Sequence, residues 1–294
     1  MIGIFSAFGA TVSWTYACSI WRKQTNIYKP IEINFLKNII AFIIFSPVIL
    51  FFNYSIHYKY ILILLLSGVI GIGLGDTFYL KSLNLIGTRK TLSIEAISPL
   101  IAAITGTLFI NDHLNISAWM GIIIVTGSLI KIISKKSYLL DKDSKLVTNN
   151  NSLDKYVYAF LSVLCAVLAA LLSRFVLLES DLTPIFTTEI RLLGSIIFLC
   201  LITKMKLKIF INNFNSKEKV QFIISVLLGT NIGIFLQQIV FQSLPLGIGW
   251  TLLSTSPIIS LLFTKKEEGI LTNEIIFTTF LLFIGICLIL LKIS

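Results

Sequence analysis

The sequence predicts an all-α integral membrane protein of about ten transmembrane helices, arranged as two inverted five-helix repeats. Three observations lead to this fold class: the composition, the spacing of apolar runs, and a pattern that recurs in the second half with opposite loop charges. Of the 294 residues, 56% are hydrophobic and 13% are charged, and the mean hydropathy is +0.91. Soluble domains carry roughly 25% charged residues. A chain this apolar needs a bilayer as its solvent.

The net charge of +10 raises the question of nucleic acid. The Lys and Arg residues stand mainly in short stretches between apolar runs, where they act as topology determinants, so we expect no nucleic-acid partner. The four cysteines and two histidines are separated along the chain, which predicts no metal site, no cofactor and no disulfide framework. The expected partners are the lipid bilayer and a small-molecule substrate. Both a monomer and a homodimer stay open.

Apolar runs of about 20 residues mark the predicted spans. The N-terminal run has no basic segment before it and no small-residue cleavage site after it, so we interpret it as a permanent span and not as a signal peptide. The predicted spans are 2–21, 33–52, 60–80, 91–110, 116–133, 156–178, 184–203, 220–243, 247–264 and 270–291.

A polar stretch at 135–155 divides the chain into two units, 1–134 and 156–294, with five predicted spans each. Matching residues recur in the second unit at offsets of 158 and 154 positions. The matches are Gly71 with Gly229, Gly75 with Gly233, Ser98-Pro99 with Ser256-Pro257, Gly127 with Gly285, Pro30 with Pro184 and Lys37 with Arg191. This order indicates an internal duplication. Because each unit has an odd number of spans, the second unit is predicted to be inverted relative to the first.

The loop charges agree with this inversion. A loop rich in Lys and Arg in one unit corresponds to a loop with few or none in the other, and all the basic loops fall on one side. They lie at 22–29, 89–90, 135–155, 204–219 and 265–266. The positive-inside rule places this side in the cytoplasm and both termini outside. We therefore expect a multi-pass protein of the cell membrane, in particular the cytoplasmic membrane of a prokaryote.

Several local features occur together in a fixed order: a first-helix tryptophan, a basic residue in an aromatic-rich second helix, a glycine-rich third helix, a proline in the fourth and glycines in the fifth. They are Trp14, Phe35 to Phe42 with Lys37, Glu189 to Leu193 with Arg191, Gly71 to Tyr79, Ser98-Pro99-Leu100, Ser256-Pro257-Ile258, Gly121 and Gly127. In these features the chain resembles the drug/metabolite transporter superfamily, specifically its EamA-type ten-helix members, over essentially its whole length.

This resemblance implies secondary-active export or exchange of small metabolites, amino acids or toxic compounds, without indicating one substrate. Many members carry an acidic residue at the turn after the fourth helix, and Asp112 stands there in the first unit. In the second unit, Glu267 and Glu268 stand slightly before the position that corresponds to this turn. Lys37 replaces the usual arginine of the second helix.

Ionisable side chains inside a span are costly and usually face a cavity or a partner. Lys37 and Arg191 are repeat-equivalent, and they are able to present positive charge to a substrate carboxylate or phosphate. Pairing with carboxylates inside the protein is the alternative. Arg174 has no evident partner in the sequence, and Glu189 points to a different helix face from Arg191. The predicted substrate-binding residues are Trp14, Lys37, Tyr79, Arg191, Gln237, Trp250 and Ser254.

Asp76 and Glu95 are predicted proton-coupling residues, because burial favours the neutral form of a carboxylate. The alternative for Asp76 is a pair with Lys81 at the membrane edge. For Glu95 the alternative is a salt bridge to Lys37 or Arg89.

The remaining predictions concern prolines and tryptophans. Pro99 and Pro257 each remove a helix hydrogen bond, which predicts a kink in the fourth and ninth spans near the substrate cavity. Trp21 and Trp119 stand near span ends and are interpreted as anchors at the membrane interface. Gln237 and its neighbour Gln238 point to different faces, so at most one of them is expected to line a pathway.

These features favour a carrier, an exporter or exchanger of small metabolites such as amino acid-like solutes, working by alternating access around a central cavity. An enzyme is not expected, since the sequence has no GxSxG, no HExxH, no phosphate-binding loop and no close acidic pair within a span. A channel or an accessory membrane subunit is the alternative, although a channel more often has rings of like polar groups. The substrate, the direction and the coupling ion stay open.

Overall fold

The structure is a computed structural model, and it describes residues 1–25, 27–49, 57–140, 154–203, 216–256 and 273–290. It is 90% helical and has no strand in the part described. The α-helices are α1 (Ile2–Thr25), α2 (Pro30–Ile49), α3 (Tyr58–Ser67), α4 (Asp76–Glu95), α5 (Ser98–Phe109), α6 (Ile116–Leu140), α7 (Asp154–Glu179), α8 (Pro184–Ile202), α9 (Ser216–Ser225), α10 (Gly233–Ser243), α11 (Leu246–Leu253) and α12 (Asn273–Leu290).

Five helical segments are long and apolar enough to cross a bilayer, which confirms five of the predicted spans. They are Pro30–Pro47, Tyr58–Gly87, Lys155–Glu179, Pro184–Ile202 and Ser216–Ser243. The apolar parts of α5, α6 and α12 are shorter helices in the described chain. The full prediction of ten spans is thus shown only in part.

The first predicted span, α1, is long enough but is not among these five because its hydroxyl residues lower its hydropathy. Several of those hydroxyls bond to backbone carbonyls of the same helix. Thr11 Oγ1 donates to the carbonyl of Ala7 at 2.7 Å, and Thr15 Oγ1 donates to that of Thr11 at 2.7 Å. A hydroxyl that bonds back to its own helix presents no free polar group to an apolar neighbour. The composition of α1 is therefore compatible with an apolar environment.

Two π-helices interrupt the third and eighth predicted spans. The first, π1, covers Gly68–Gly75 between α3 and α4, and the second, π2, covers Val226–Ile232 between α9 and α10. Their first residues lie at the 158-residue offset that superimposes the glycines of the two units. Asn34 of α2 donates from Nδ2 to the carbonyls of Ile72 at 2.7 Å and Gly73 at 3.1 Å, inside π1. A π-helix often marks a functional site.

Helices of the first half pack against helices of the second half. α1 contacts α10 and π2, α4 and π1 contact α7, and α6 contacts α12. Glycines bring these backbones close together. A Cβ added to Gly71 would lie 2.5 Å from the Cβ of Ala169 in α7, and one added to Gly229 would lie 2.3 Å from the Cβ of Ala17 in α1. The bundle is thus built jointly by both halves.

Gly68→Ala is expected to destabilise the protein, because its Cβ would lie 1.9 Å from the backbone oxygen of Arg191. Backbone atoms cannot rotate away, and overpacking of this kind costs about 1–3 kcal/mol. Gly127→Ala is the matched control, since nothing lies within 4 Å of its added Cβ, and alanine stabilises a helix by about 1 kcal/mol over glycine. Thermal unfolding of the two purified variants in detergent measures the difference. Equal stabilities would contradict this packing.

The chain between π1 and α5 is broken at two points. Gly87 has φ 77° and ψ 167°, a conformation that is essentially restricted to glycine. α4 ends at Glu95, and a turn precedes Ser98, where α5 begins. Pro99 lies in the first turn of α5, where its missing N–H costs nothing. The kink predicted at Pro99 therefore corresponds to a complete helix break, while Pro257 lies outside the described residues.

Candidate functional site

A cavity of about 170 Å³ lies between helices of the two halves. A single water needs roughly 15 Å³ of such volume, so the cavity has room for several waters or a small organic solute. The lining residues with polar groups are Thr11, Trp14, Asp76, Tyr79, Glu95, Ser98, Ser162, Arg191, Gln237, Trp250, Ser254 and Ser256. The cavity therefore joins chemically different side chains from distant parts of the sequence.

Lys37 lies behind the cavity wall and forms an ion pair with Asp76. Its Nζ is 2.5 Å from Asp76 Oδ2, and its side chain is 1% exposed. The ammonium also lies 4.9 Å from the ring centroid of Trp21 and 5.9 Å from that of Trp14, which adds cation–π stabilisation. Lys37 is not among the cavity-lining residues. Its predicted contact with substrate is therefore corrected to a role as the counter-ion of Asp76.

The alternative prediction, an ion pair between Asp76 and Lys81, is wrong. The ammonium of Lys81 lies 3.9 Å from the ring centroid of Tyr158 in α7. Asp76 instead pairs with Lys37, because the fully buried Lys37 ammonium needs an opposite charge nearby. Asp76 itself lines the cavity beside the end of π1.

Arg191 is a buried cation that lines the cavity. Its Nε and Nη1 have no hydrogen-bond partner among the described residues. The close contact of Gly68 with the Arg191 backbone holds this part of α8 against π1. A guanidinium with free donors in a cavity is suited to a planar anion, because carboxylate and phosphate oxygens match its fork geometry.

Glu95 lines the same cavity at the end of α4. Its backbone carbonyl accepts a hydrogen bond of 2.6 Å from Ser98 Oγ, whereas its carboxylate has no ion-pair partner in the described part of the chain. The predicted alternative of a salt bridge to Lys37 is wrong, because Asp76 takes that partner. The side chain of Arg89, the other alternative, lies outside the described residues.

Aromatic rings form two faces of the site. Trp14 packs against Tyr79 with ring centroids 6.2 Å apart, and Trp250 stacks on Phe241 at 5.5 Å and 10°. Ser254 lies one turn beyond Trp250 and donates from Oγ to its carbonyl at 2.8 Å. These rings supply flat apolar surfaces on which the body of an organic solute can pack.

The two adjacent glutamines have different environments. Gln237 lines the cavity. Gln238 is buried away from it, where its Oε1 accepts hydrogen bonds from Ser173 and Thr187. The prediction that at most one of them faces a pathway agrees with these positions.

A buried ion pair that sequence reasoning missed joins Arg174 to Asp112. Arg174 Nη2 lies 2.6 Å from Asp112 Oδ1, and Nε lies 3.0 Å from Oδ2. Arg174 Nη1 also donates to the carbonyl of Phe241 at 2.5 Å, and Asp112 Oδ2 accepts from the Leu246 amide at 2.6 Å. This network ties the α5–α6 turn to α7 and to the α10–α11 turn. The acidic residue at the turn after the fourth helix was the available signal, but its partner was not evident.

Burial contradicts the role predicted for Trp21 as an interface anchor, whereas that of Trp119 stays a prediction. Trp21 was expected to anchor at the membrane interface, but it is 1% exposed and packs in the protein core, because the Lys37 ammonium and Trp14 lie against it. Trp119 is partly buried against a second core cluster.

Glu189 is 1% exposed, its carboxylate oxygens have no hydrogen-bond partner in the described chain, and it does not line the cavity.

An all-helical fold with several bilayer-length apolar helices defines a multi-pass membrane protein. Residues 1–134 match the model of the EamA-like transporter family. Residues 1–134 are therefore similar to EamA-like transporters, which is consistent with the predicted resemblance to the drug/metabolite transporter superfamily. This match indicates a membrane transporter.

One solved crystal structure superimposes on the chain with a TM-score of 0.71. The sequence identity is 12%, and the match covers 97% of this chain and 95% of that chain. At this identity the likeness shows the fold alone. No curated protein matches the sequence.

Proposed function

We propose that this protein is a secondary-active transporter that exports or exchanges small organic solutes by alternating access around the cavity. Residues 1–134 and 156–294 act as five-helix repeats of opposite orientation, joined by a cytoplasmic linker at 135–155. The two repeats rock against one another and expose the cavity to each side in turn. The setting is the cytoplasmic membrane of a prokaryote, with both termini outside.

The proposal of a repeat is supported by features that occur in both halves. π1 and π2 start 158 positions apart, and each contains a glycine that packs on an alanine of the other half. The fifth helices of the two units also pack together. A Cβ added to Gly121 in α6 would lie 2.6 Å from the Gly285 oxygen in α12. Reciprocal contacts of this kind are expected when two related units face each other.

The observation that carries the function is the guanidinium of Arg191, which lies in a cavity shared by both halves and whose Nε and Nη1 have no hydrogen-bond partner among the described residues. An unpaired buried cation is costly, and a bound carboxylate or phosphate would compensate it. The rings of Trp14, Tyr79 and Trp250 would then receive the apolar part of the solute. The substrate class supported best is therefore a small anionic or zwitterionic organic solute, which includes amino acid-like molecules.

Uptake into proteoliposomes tests this function. We expect purified protein to catalyse saturable uptake of at least one member of a panel of amino acids, hydroxy acids and organic phosphates, measured with and without an imposed pH gradient. Protein-free liposomes give the background. Flux that rises linearly with concentration would indicate a channel, and no flux from folded protein would indicate an accessory subunit. Either result contradicts the carrier.

A further inference from the structure

We propose that Glu95 carries one proton together with each singly charged organic anion bound at Arg191, so that proton and anion cross the membrane in the same direction. This inference rests on the transport function proposed above and adds what accompanies the substrate. It is carried by the charges that the structure places in and around one cavity.

Part of the charge around the cavity is already neutralised within the protein. Lys37 and Asp76 form a contact ion pair of 2.5 Å, so together they add no net charge. The other charged groups lining the cavity are Arg191 and Glu95. Neither has an ion-pair partner in the described part of the chain. Among the described side chains that line the cavity, one cation and one carboxylate are therefore without an ion-pair partner.

The net charge of the cavity depends on whether the proton and the anion are bound. With Glu95 ionised and no substrate bound, the positive charge of Arg191 and the negative charge of Glu95 sum to zero. When an anion binds to Arg191, the sum returns to zero only if Glu95 takes up a proton. The two mixed states, anion without proton and proton without anion, each carry one net charge. Net charge in a low-dielectric interior is strongly unfavourable.

It follows that the empty state and the fully loaded state are the neutral ones, and these are the states that cross between the two orientations at low cost. Binding of the proton and of the anion is therefore mutually favourable, and the linkage is reciprocal. A zwitterion such as an amino acid brings no net charge. Its binding leaves the sum at zero without a proton, so the same cavity distinguishes the two classes of solute by their proton requirement.

Other ionisable groups surround Glu95. Asp76, at the start of the same helix, is the charged group whose field reaches Glu95, and it is already paired with Lys37. The Tyr79 hydroxyl lies 3.6 Å from Cys18 Sγ and bonds to it. The residues that α7 contributes to the lining, Ser162, Val163 and Ala166, do not ionise. Among the described side chains, the titratable groups that face this region from the packed helices are Asp76, Tyr79, Cys18, Lys37, Cys165 and Arg191. Glu189 is buried on the helix of Arg191 but does not line the cavity.

The proton balance of one cycle is simple. A proton from the side that the cavity faces forms an O–H bond with the Glu95 carboxylate, while the anion binds the guanidinium of Arg191. After reorientation that O–H bond breaks, and the proton and the anion leave on the opposite side. No bond of the substrate changes. An anion that accumulates inside a cell would leave with a proton by this route.

The test uses two probes of nearly equal shape, phenyllactate as the anion and phenylalanine as the zwitterion, because the cavity has aromatic faces. In wild-type proteoliposomes we expect an acidic exterior to stimulate phenyllactate uptake, with one proton entering per anion and no response to a valinomycin-clamped potential. Phenylalanine uptake is expected not to respond to the pH gradient. In detergent, phenyllactate affinity is expected to rise up to about tenfold per unit fall in pH over the range where Glu95 titrates.

The variant Glu95→Gln removes the proton site and keeps the shape. We expect it to bind phenyllactate with the same affinity at every pH and to lose gradient-driven accumulation, while phenyllactate exchange across the membrane continues. Asp76→Asn is the matched carboxylate control. It is expected to transport more slowly, because Lys37 loses its partner, but to keep the pH dependence of binding.

The outcomes separate the two proposals. Saturable phenylalanine transport together with proton-independent phenyllactate binding would overturn the proton coupling and leave the transporter intact. Loss of the pH dependence in Asp76→Asn but not in Glu95→Gln would also overturn it, by assigning the proton to the other carboxylate. If Glu95→Gln does not fold, a pH dye measures proton uptake when phenyllactate binds to the wild type. Uptake of a proton on binding supports the coupling, and no uptake overturns it. Saturable transport of neither these probes nor the wider panel would overturn both proposals.

Discussion

Arg191→Ala is expected to raise the KM of saturable uptake roughly 10- to 140-fold for anionic and zwitterionic solutes. Arg191 lines the cavity with its Nε and Nη1 unpartnered, so the variant removes the group that would bind the substrate anion. A hydrogen bond to a charged group contributes about 1.5–3 kcal/mol, and about 1.4 kcal/mol corresponds to tenfold in affinity. Initial rates of uptake into proteoliposomes over a range of substrate concentrations measure the change.

Stability provides the control for this variant. Arg191 makes no ion pair within the described chain, so its removal breaks no direct charge contact, and the Glu95 carboxyl restores a neutral cavity by taking up a proton. We therefore expect thermal unfolding in detergent to be nearly unchanged. Arg191→Lys keeps the charge but loses the fork geometry, so it should fall between wild type and alanine. Arg22→Ala changes an exposed arginine at the end of α1 and should leave uptake unchanged. Uptake by Arg191→Ala equal to that of wild type would remove Arg191 from the binding site.

Asp112→Ala is expected to have the largest effect on stability, a loss of about 3–5 kcal/mol in the free energy of unfolding. The Asp112 and Arg174 side chains are 5% and 7% exposed. Removal of the carboxylate leaves a buried guanidinium without its bidentate partner and the Leu246 amide without its acceptor. Thermal or denaturant unfolding of the purified variant measures this loss.

The matched control is Asp181→Ala, an exposed aspartate between α7 and α8, for which a change below about 0.5 kcal/mol is expected. A double-mutant cycle with Arg174→Leu isolates the pair itself. The double variant should lose much less than the sum of the two single variants, because no buried charge remains. If Asp112→Ala and Asp181→Ala unfold at the same temperature, the ion pair does not hold these turns together.

The fold class was predictable because it depends on hydropathy, which is a local property of the sequence. Five spans were confirmed at nearly the predicted positions, including Pro184–Ile202 against the predicted 184–203. The break between α4 and α5 was less evident. Pro99 indicated an irregularity in the fourth span, but a proline is compatible with both a kinked helix and a helix start. Only the turn after Glu95 distinguishes the two.

Most residues of the candidate site could be predicted from the sequence, but the ion pairs among them could not. Polar side chains at membrane depth identified Trp14, Asp76, Glu95, Arg191 and Gln237 before their common cavity was known, because such groups are too costly to face lipid. Which charges neutralise one another depends on helix packing. The sequence offered several partners for each charge and could not rank them, since charge and hydropathy carry no information on distance between helices.

The two ion pairs illustrate this limit. Lys37 and Asp76 are separated by 39 residues, and Arg174 and Asp112 by 62. The structure assigns Lys37 to Asp76, which leaves Glu95 free, and assigns Arg174 to Asp112, which leaves Arg191 free. Of these six charges, the two ion pairs neutralise four, so Arg191 and Glu95 are the charged lining residues without an ion-pair partner in the described part of the chain.

The aromatic faces of the cavity also make its occupancy measurable by intrinsic tryptophan fluorescence. The sequence has four tryptophans, of which Trp14 and Trp250 line the cavity and Trp21 packs edge-on against Trp14 at 5.4 Å. Indole emission depends on the polarity and charge around the ring, and the ammonium of Lys37 lies near two of these indoles. The ultraviolet fluorescence of the unlabelled protein therefore reports chiefly on this cavity, with Trp119 as the background. A solute that displaces water there would be detected by titration in a cuvette, without a radioactive or chemical tag.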